Sequence, residues 1–236
     1  MMKDVITVAS TLLLPGLAAT ALAGGDDDPR VGMLTFDRIE FRDRDGDPSV
    51  VFEAEGWVGH DLNKLWFKSE SEHADGSWEE AEFQAGWRRA IAPHWDFKVG
   101  ARHDYRPNPS RTWAVVGFEG TAPYGIDVDA AVFVGESGRA GLRLKAEYEL
   151  ALTQRLMLVP DLEINAHREN DEATGTGSGL SDMSFGVRLM YGLTGRVTPY
   201  VGIVWDRSFG NTSEFAKVEG DDNDSTRFNL GIQAWF

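Results

Sequence analysis

A chain of 236 residues without a cysteine carries neither a disulfide framework nor a thiolate metal site. Its formal charge of −15 repels nucleic-acid phosphate, so no nucleic-acid partner is expected, and it draws cations toward the protein. A mean hydropathy of −0.31 is too polar for a bundle of membrane helices, but not for a transmembrane barrel, where half of each strand faces a polar interior.

Residues 1–23 read as a Sec signal peptide: Lys3, an apolar run over 5–14, a break at Pro15-Gly16, and small residues at Ala21 and Ala23. The run is shorter than the roughly 20 residues of a spanning helix. Residues 24–30 form a short acidic leader, and 31–236 the barrel. Fainter strands lie near 33–42, 50–59 and 63–70, the first with the least regular register. Clear alternation follows. Ala81, Phe83, Ala85 and Trp87 oppose Glu80, Glu82, Gln84 and Arg88; Trp95, Phe97, Val99 and Ala101 oppose Asp96, Lys98 and Arg102. Strands near 111–121 and 125–135 come next, the second with Asp127 and Asp129 on its polar face. Leu142, Leu144, Ala146, Tyr148 and Leu150 then oppose Arg143, Lys145, Glu147 and Glu149, and Leu156, Leu158, Leu162 and Ile164 oppose Asp161, Glu163 and Asn165. Two further strands near 182–192 and 199–209 precede the last, in which Phe228, Leu230, Ile232, Ala234 and Phe236 share a face.

About twelve strands of roughly 10 residues match the reach of a tilted strand across a hydrocarbon core; soluble sandwiches use strands of about 5–6 residues. One face carries charges of both signs and the other an apolar band, the inside-out arrangement that lipid requires. The turns alternate: short at 59–61, 91–93, 122–124, 151–153 and 193–198, longer at 43–49, 71–77, 106–110, 168–179 and 210–225. Short turns belong to the periplasmic side and long loops to the outside. The expected fold is all-β: a closed antiparallel transmembrane barrel of about twelve strands in a Gram-negative outer membrane. Its partners are the outer-membrane lipid and the outer-membrane assembly machinery, whose recognition signal the closing strand and Phe236 resemble.

The five histidines show no ligand spacing. His60 and His94 fall in periplasmic turns and His73 in an outer loop. His167 faces inward with Asp161 and Glu163, and His103 lies with the apolar face. These four, His103, His167, Asp161 and Glu163, are the candidate metal residues. Met157, Met183 and Met190 are spread through strands, as packing methionines are. The inward carboxylates and the cations Lys64, Lys68, Arg88, Lys98, Arg102, Arg143, Lys145 and Arg188 read either as an ion-pair network filling the lumen or as a cation pathway. An enzymatic alternative, a lipolytic barrel with a serine beside a histidine, has its nearest candidates in His103 and Ser110, without a supporting motif.

Several stretches carry a family resemblance: GWVGHDLNKLWFKSESE at 56–72, a run over 90–156 beginning AIAPHWDFKVGARHDYR, GSGLSDMSFGVRL at 177–189, PYVGIVWDRSFGNTSEFA at 199–216 and FNLGIQAWF at 228–236. The chain resembles the copper resistance protein B (CopB) family of outer-membrane proteins. The resemblance implies a role in copper homeostasis, with copper ions bound or passed and periplasmic copper proteins as partners. Members carry a Met- and His-rich segment before the barrel; residues 24–30 hold neither Met nor His, so no copper-binding residue of the family carries over. A general small pore or structural barrel is the alternative.

Overall fold

Period-two alternation puts one side chain in lipid and the next in the lumen, and a wall built this way must close, because an unpaired strand edge cannot sit in hydrocarbon. The computed structural model describes residues 28–44, 47–74, 76–220 and 222–236. The signal peptide expected at 1–23, and most of the acidic leader, lie outside the described residues.

The strands are β1 (Val31–Arg44), β2 (Asp47–Gly59), β3 (Asn63–Ala74), β4 (Ser77–Ala92), β5 (Trp95–Arg106), β6 (Arg111–Ala122) and β7 (Ile126–Gly135). They continue with β8 (Ala140–Tyr148), β9 (Leu150–Ala151), β10 (Leu156–His167), β11 (Gly179–Tyr191), β12 (Val197–Ser208) and β13 (Asp224–Trp235). Each pairs antiparallel with its neighbours, and β8 and β9 are one stave interrupted at Glu149, since both pair with β10. The wall therefore has twelve staves. It closes where Phe41 of β1 faces Val50 on one side and Leu230 of β13 on the other. Outward residues such as Phe41, Leu65, Phe83, Phe118 and Leu230 are exposed, while inward Glu40, Gln84, Lys98, Arg188 and Asn229 are buried. That inversion of a soluble core is what lipid selects.

The parity of turns and loops holds, with differences that have physical causes. β1 is irregular because it carries a bulge: Phe36 faces Ala54 and Arg38 faces Glu53, which leaves Asp37 as an extra residue. Both Asp37 and Arg38 then line the lumen. Glu149, expected on the inner face, sits at the stave's interruption and is exposed. The outer segment expected as a loop over 210–225 contains helix α1 (Gly210–Glu219), after which β13 starts at Asp224. His73 lies within β3 rather than in a loop, its ring 5.2 Å from Trp78. On the lumen side of β4 and β5 the backbones approach so closely at Gly86 and Gly100 that a Cβ on Gly86 would lie 2.0 Å from the Val99 carbonyl oxygen.

The two longest outer segments fold over the rim together. Gly177 N donates to Thr212 Oγ1 at 2.8 Å, and Asn211 Nδ2 to Asn170 Oδ1 at 3.0 Å. Asp171 ties the 168–178 loop to the wall by accepting from Arg111 Nε at 2.8 Å and Nη2 at 3.0 Å, with Arg139 at 3.3 Å. The paired Arg111 hydrogen bonds hold the Asp171 carboxyl below its usual value of 3.8.

Candidate functional site

The lumen holds two cavities, an outer one of about 350 Å3 and an inner one, toward the periplasmic turns, of about 240 Å3. Arg38, Glu53, Lys145, Glu163 and Ser184 line both. The partition between them is made of ion pairs. Lys145 Nζ lies 2.6 Å from Glu70, 3.2 Å from Glu163 and 3.5 Å from Glu53. Lys68 sits 3.0 Å from Glu70 and 3.2 Å from Glu53. Arg38 lies 2.8 Å from Asp161 and 3.4 Å from Glu53. Arg143 forks onto Glu82, donating to Oε1 at 3.2 Å and Oε2 at 3.1 Å, and to Asn165 Oδ1 at 3.0 Å.

These contacts cross the barrel. β8 and β3 are five staves apart in a ring of twelve, so Lys145 and Arg143 on one wall meet Glu70 on the opposite one. Charges held this way fix the geometry more than they stabilise it: the desolvation cost of buried ions offsets most of their attraction, whereas removing one partner costs about 3–5 kcal/mol.

The inner face is not purely polar, contrary to the expectation from alternation. Trp57, Trp66, Phe133 and Tyr200 serve as platforms for lumen cations. Lys64 and Arg88 stand over the Trp57 ring at 5.1 and 5.5 Å, Arg102 and Arg143 over Phe133 at 4.7 and 5.6 Å, and Arg188 over Tyr200 at 5.6 Å. Met157 and Met190 are neighbours across β10 and β11, and Met190 packs with Val159 and Tyr200, so its thioether is a packing group.

The candidate metal residues are not brought together. His103 faces outward, with Nδ1 2.8 Å from Thr112 Oγ1 and its ring against Tyr105. His167 faces inward, Nδ1 2.8 Å from Ser181 Oγ. Asp161 and Glu163 point into the lumen but are held by Arg38 and by Lys145 with Arg143. No group of three metal-binding side chains forms among the described residues. Carboxylates already engaged by Lys and Arg, with a lone inward histidine, do not fit a resident copper centre, which favours imidazole and sulfur donors.

Sequence reading identified most of the partition's cations but not Glu70, its central carboxylate. Leu65-Trp66-Phe67 puts three apolar residues in succession, which masks the alternation of β3 just before Glu70. Glu72, Arg38, Glu40 and Arg42 were missed for a related reason, the uncertain register of β1 and the early end expected for β3.

Residues 30–236 match the family model described as copper resistance protein B precursor (CopB). The chain belongs to the copper resistance protein B family. It is 40% identical over 200 residues to a copper resistance protein B homolog of Pseudomonas syringae pv. tomato, covering 85% of this chain and 68% of that one. It is 39% identical over 204 residues to copper resistance protein B of Escherichia coli, covering 86% and 69%. Among solved structures it resembles the NanC porin, with a TM-score of 0.56 at 12% identity over 86% of this chain and 99% of that one. The KdgM porin gives 0.53 at 14% identity over 87% and 99%. At those identities the porin likeness shows the fold. As a copper resistance protein B homolog, the chain is an outer-membrane barrel acting in copper resistance.

Proposed function

We propose that this barrel serves copper resistance as a passage for cations, with copper ions as cargo in transit rather than as a resident ligand. The observation that carries the reading is the partition of the lumen: two cavities in line, separated by ion pairs and not by packed hydrocarbon. Around the inner cavity Asp37, Glu55, Glu119, Asp127, Asp129 and Glu147 outnumber the cations, which concentrates positive ions at that end. Periplasmic copper proteins would deliver to or receive from this end, and the outward apolar band is the contact with outer-membrane lipid.

The reading involves no covalent chemistry. The serine and histidine that do meet, Ser181 and His167, form no nucleophile: Ser181 is fully buried and its hydroxyl donates to the Gly177 carbonyl at 2.9 Å. Residues 1–23 complete the proposal as the export signal.

Calorimetry of the purified protein in detergent, with Cu(II) directly and with Cu(I) against a competing chelator, tests transit against residence. Weak, unsaturable heats are expected. Tight stoichiometric binding would show a resident site and overturn the reading, and His167, His103, Asp161 and Glu163 would then be the residues to substitute.

A further inference from the structure

Three properties meet in Lys145 alone among Lys68, Arg143, Arg38 and Lys145, the cations of the partition; Arg38 shares the first two but is a guanidinium bound to Asp161 and Glu53. Lys145 reaches both cavities, as Lys68 and Arg143 do not. Its side chain keeps 21% of its surface exposed, against 12% for Lys68 and 14% for Arg143. And it is a point charge on a flexible four-carbon stem, whereas Arg143 is pinned by its two-pronged contact with Glu82 and by Asn165.

The carboxylates around it are provided for in its absence. Glu53 keeps Lys68 at 3.2 Å and Arg38 at 3.4 Å; Glu70 keeps Lys68 at 3.0 Å and Arg143 at 3.3 Å; Glu163 keeps Arg143 at 3.3 Å. Withdrawing the ammonium leaves none of the three bare, yet it removes one positive charge from a spot where three carboxylates converge from β2, β3 and β10.

From this geometry, and resting on the passage reading above, we infer that Lys145 is the gate between the two cavities. It is a tethered cation that occupies the place a passing cation takes over. When the side chain swings into either cavity, a small hydrated cation exchanges for the ammonium at Glu53, Glu70 and Glu163, and the lysine returns after it has passed. No bond is made or broken. Once the lysine has moved, the place it leaves is faced by three carboxylates, while Lys68, Arg38 and Arg143 remain engaged on their other sides, so the device selects for positive charge. Oxygen donors suit hard and borderline ions, so Cu(II) is a better cargo than Cu(I).

The absence of any native cysteine permits a reversible test. Single-channel recording of the full chain in planar bilayers, under a KCl gradient, compares the wild type with Lys145→Cys. The substitution is expected to raise conductance several-fold while the reversal potential stays on the potassium side. Treating the same channels with 2-aminoethyl methanethiosulfonate joins an ammonium to the new thiol through a disulfide, with methanesulfinate leaving. It is expected to return conductance toward the wild-type level, whereas the uncharged methyl reagent leaves the channel open. Because the reagents act on one already inserted channel, a folding defect does not mimic this pattern. Wild-type conductance in the variant, or equal effects of the charged and uncharged reagents, would overturn the gate. Copper entry into vesicles by the wild type is a separate readout: if it fails while the lysine gate operates, the copper cargo is wrong and the gate stands.

Discussion

Glu40 is almost fully buried in the barrel wall, and three donors hold it there: Arg42 Nε at 2.5 Å, Tyr200 Oη at 2.8 Å and Asn229 Nδ2 at 3.0 Å. The three come from β1, β12 and β13, so this carboxylate fastens β1 to β13 and to β12 beyond it at the closing seam. Tyr200→Phe keeps the ring that packs on Val159 and Met190 but leaves one carboxylate oxygen a donor short. A loss of about 1–3 kcal/mol is expected, read as a lower urea midpoint in detergent micelles; an unchanged midpoint would show that Asn229 suffices. Residue-scale contacts of this kind were not legible beforehand. Parity assigns a side chain to the lumen, but it does not say which residue across the ring it meets. Lys145 and Glu70, or Glu40 and Tyr200, are far apart in sequence, and their meeting depends on strand tilt and ring position.

At the scale of elements, legibility followed the regularity of the alternation. β4, β5, β10 and β13, with unbroken apolar and charged faces, were read correctly in span and direction. β1 was not, because the Asp37 bulge puts two successive residues inward and shifts the apparent period by one. Helix α1 was missed because Gly210–Glu219 mixes polar and small residues with neither strand nor helix periodicity. Its place on the rim is set by contacts with the 168–178 loop. That loop depends on Asp171. Its carboxyl is held below 3.8 by Arg111, so the tie is intact at and above the ordinary value and is lost as pH falls through the lower, folded one. Hydrogen exchange in 168–178 is therefore expected to stay slow, after correction for the intrinsic rate, from neutral pH down to about 4 and to quicken only below that. Asp171→Asn is expected to quicken it at neutral pH, and equal exchange in the variant would show that the Asn170, Gly177 and α1 contacts hold the loop alone.

For the whole molecule, twelve staves, the inside-out pattern and the family were all legible from residues, because lipid imposes one pattern on every strand. The state of the lumen was not. An ion-pair filling and a cation pathway use the same residue types; the structure shows ion pairs forming a partition, with cavities on either side of it. The net charge of −15 acts at this scale as well, enriching cations around a barrel whose inner cavity is acidic. Raising ionic strength is expected to weaken any preference for cations in conductance, since exposed charges more than about 8–10 Å apart are screened near physiological salt. A preference that persists in concentrated salt would place selectivity at the close contacts of the partition alone.

The passage of copper is tested most directly by following Cu(II) entry into vesicles that enclose a copper-quenched dye, with and without the purified barrel in the membrane. Quenching several-fold faster than in protein-free vesicles, and slowed by excess Mg(II) competing for the same carboxylates, is the predicted result. Quenching at the protein-free rate would contradict the account.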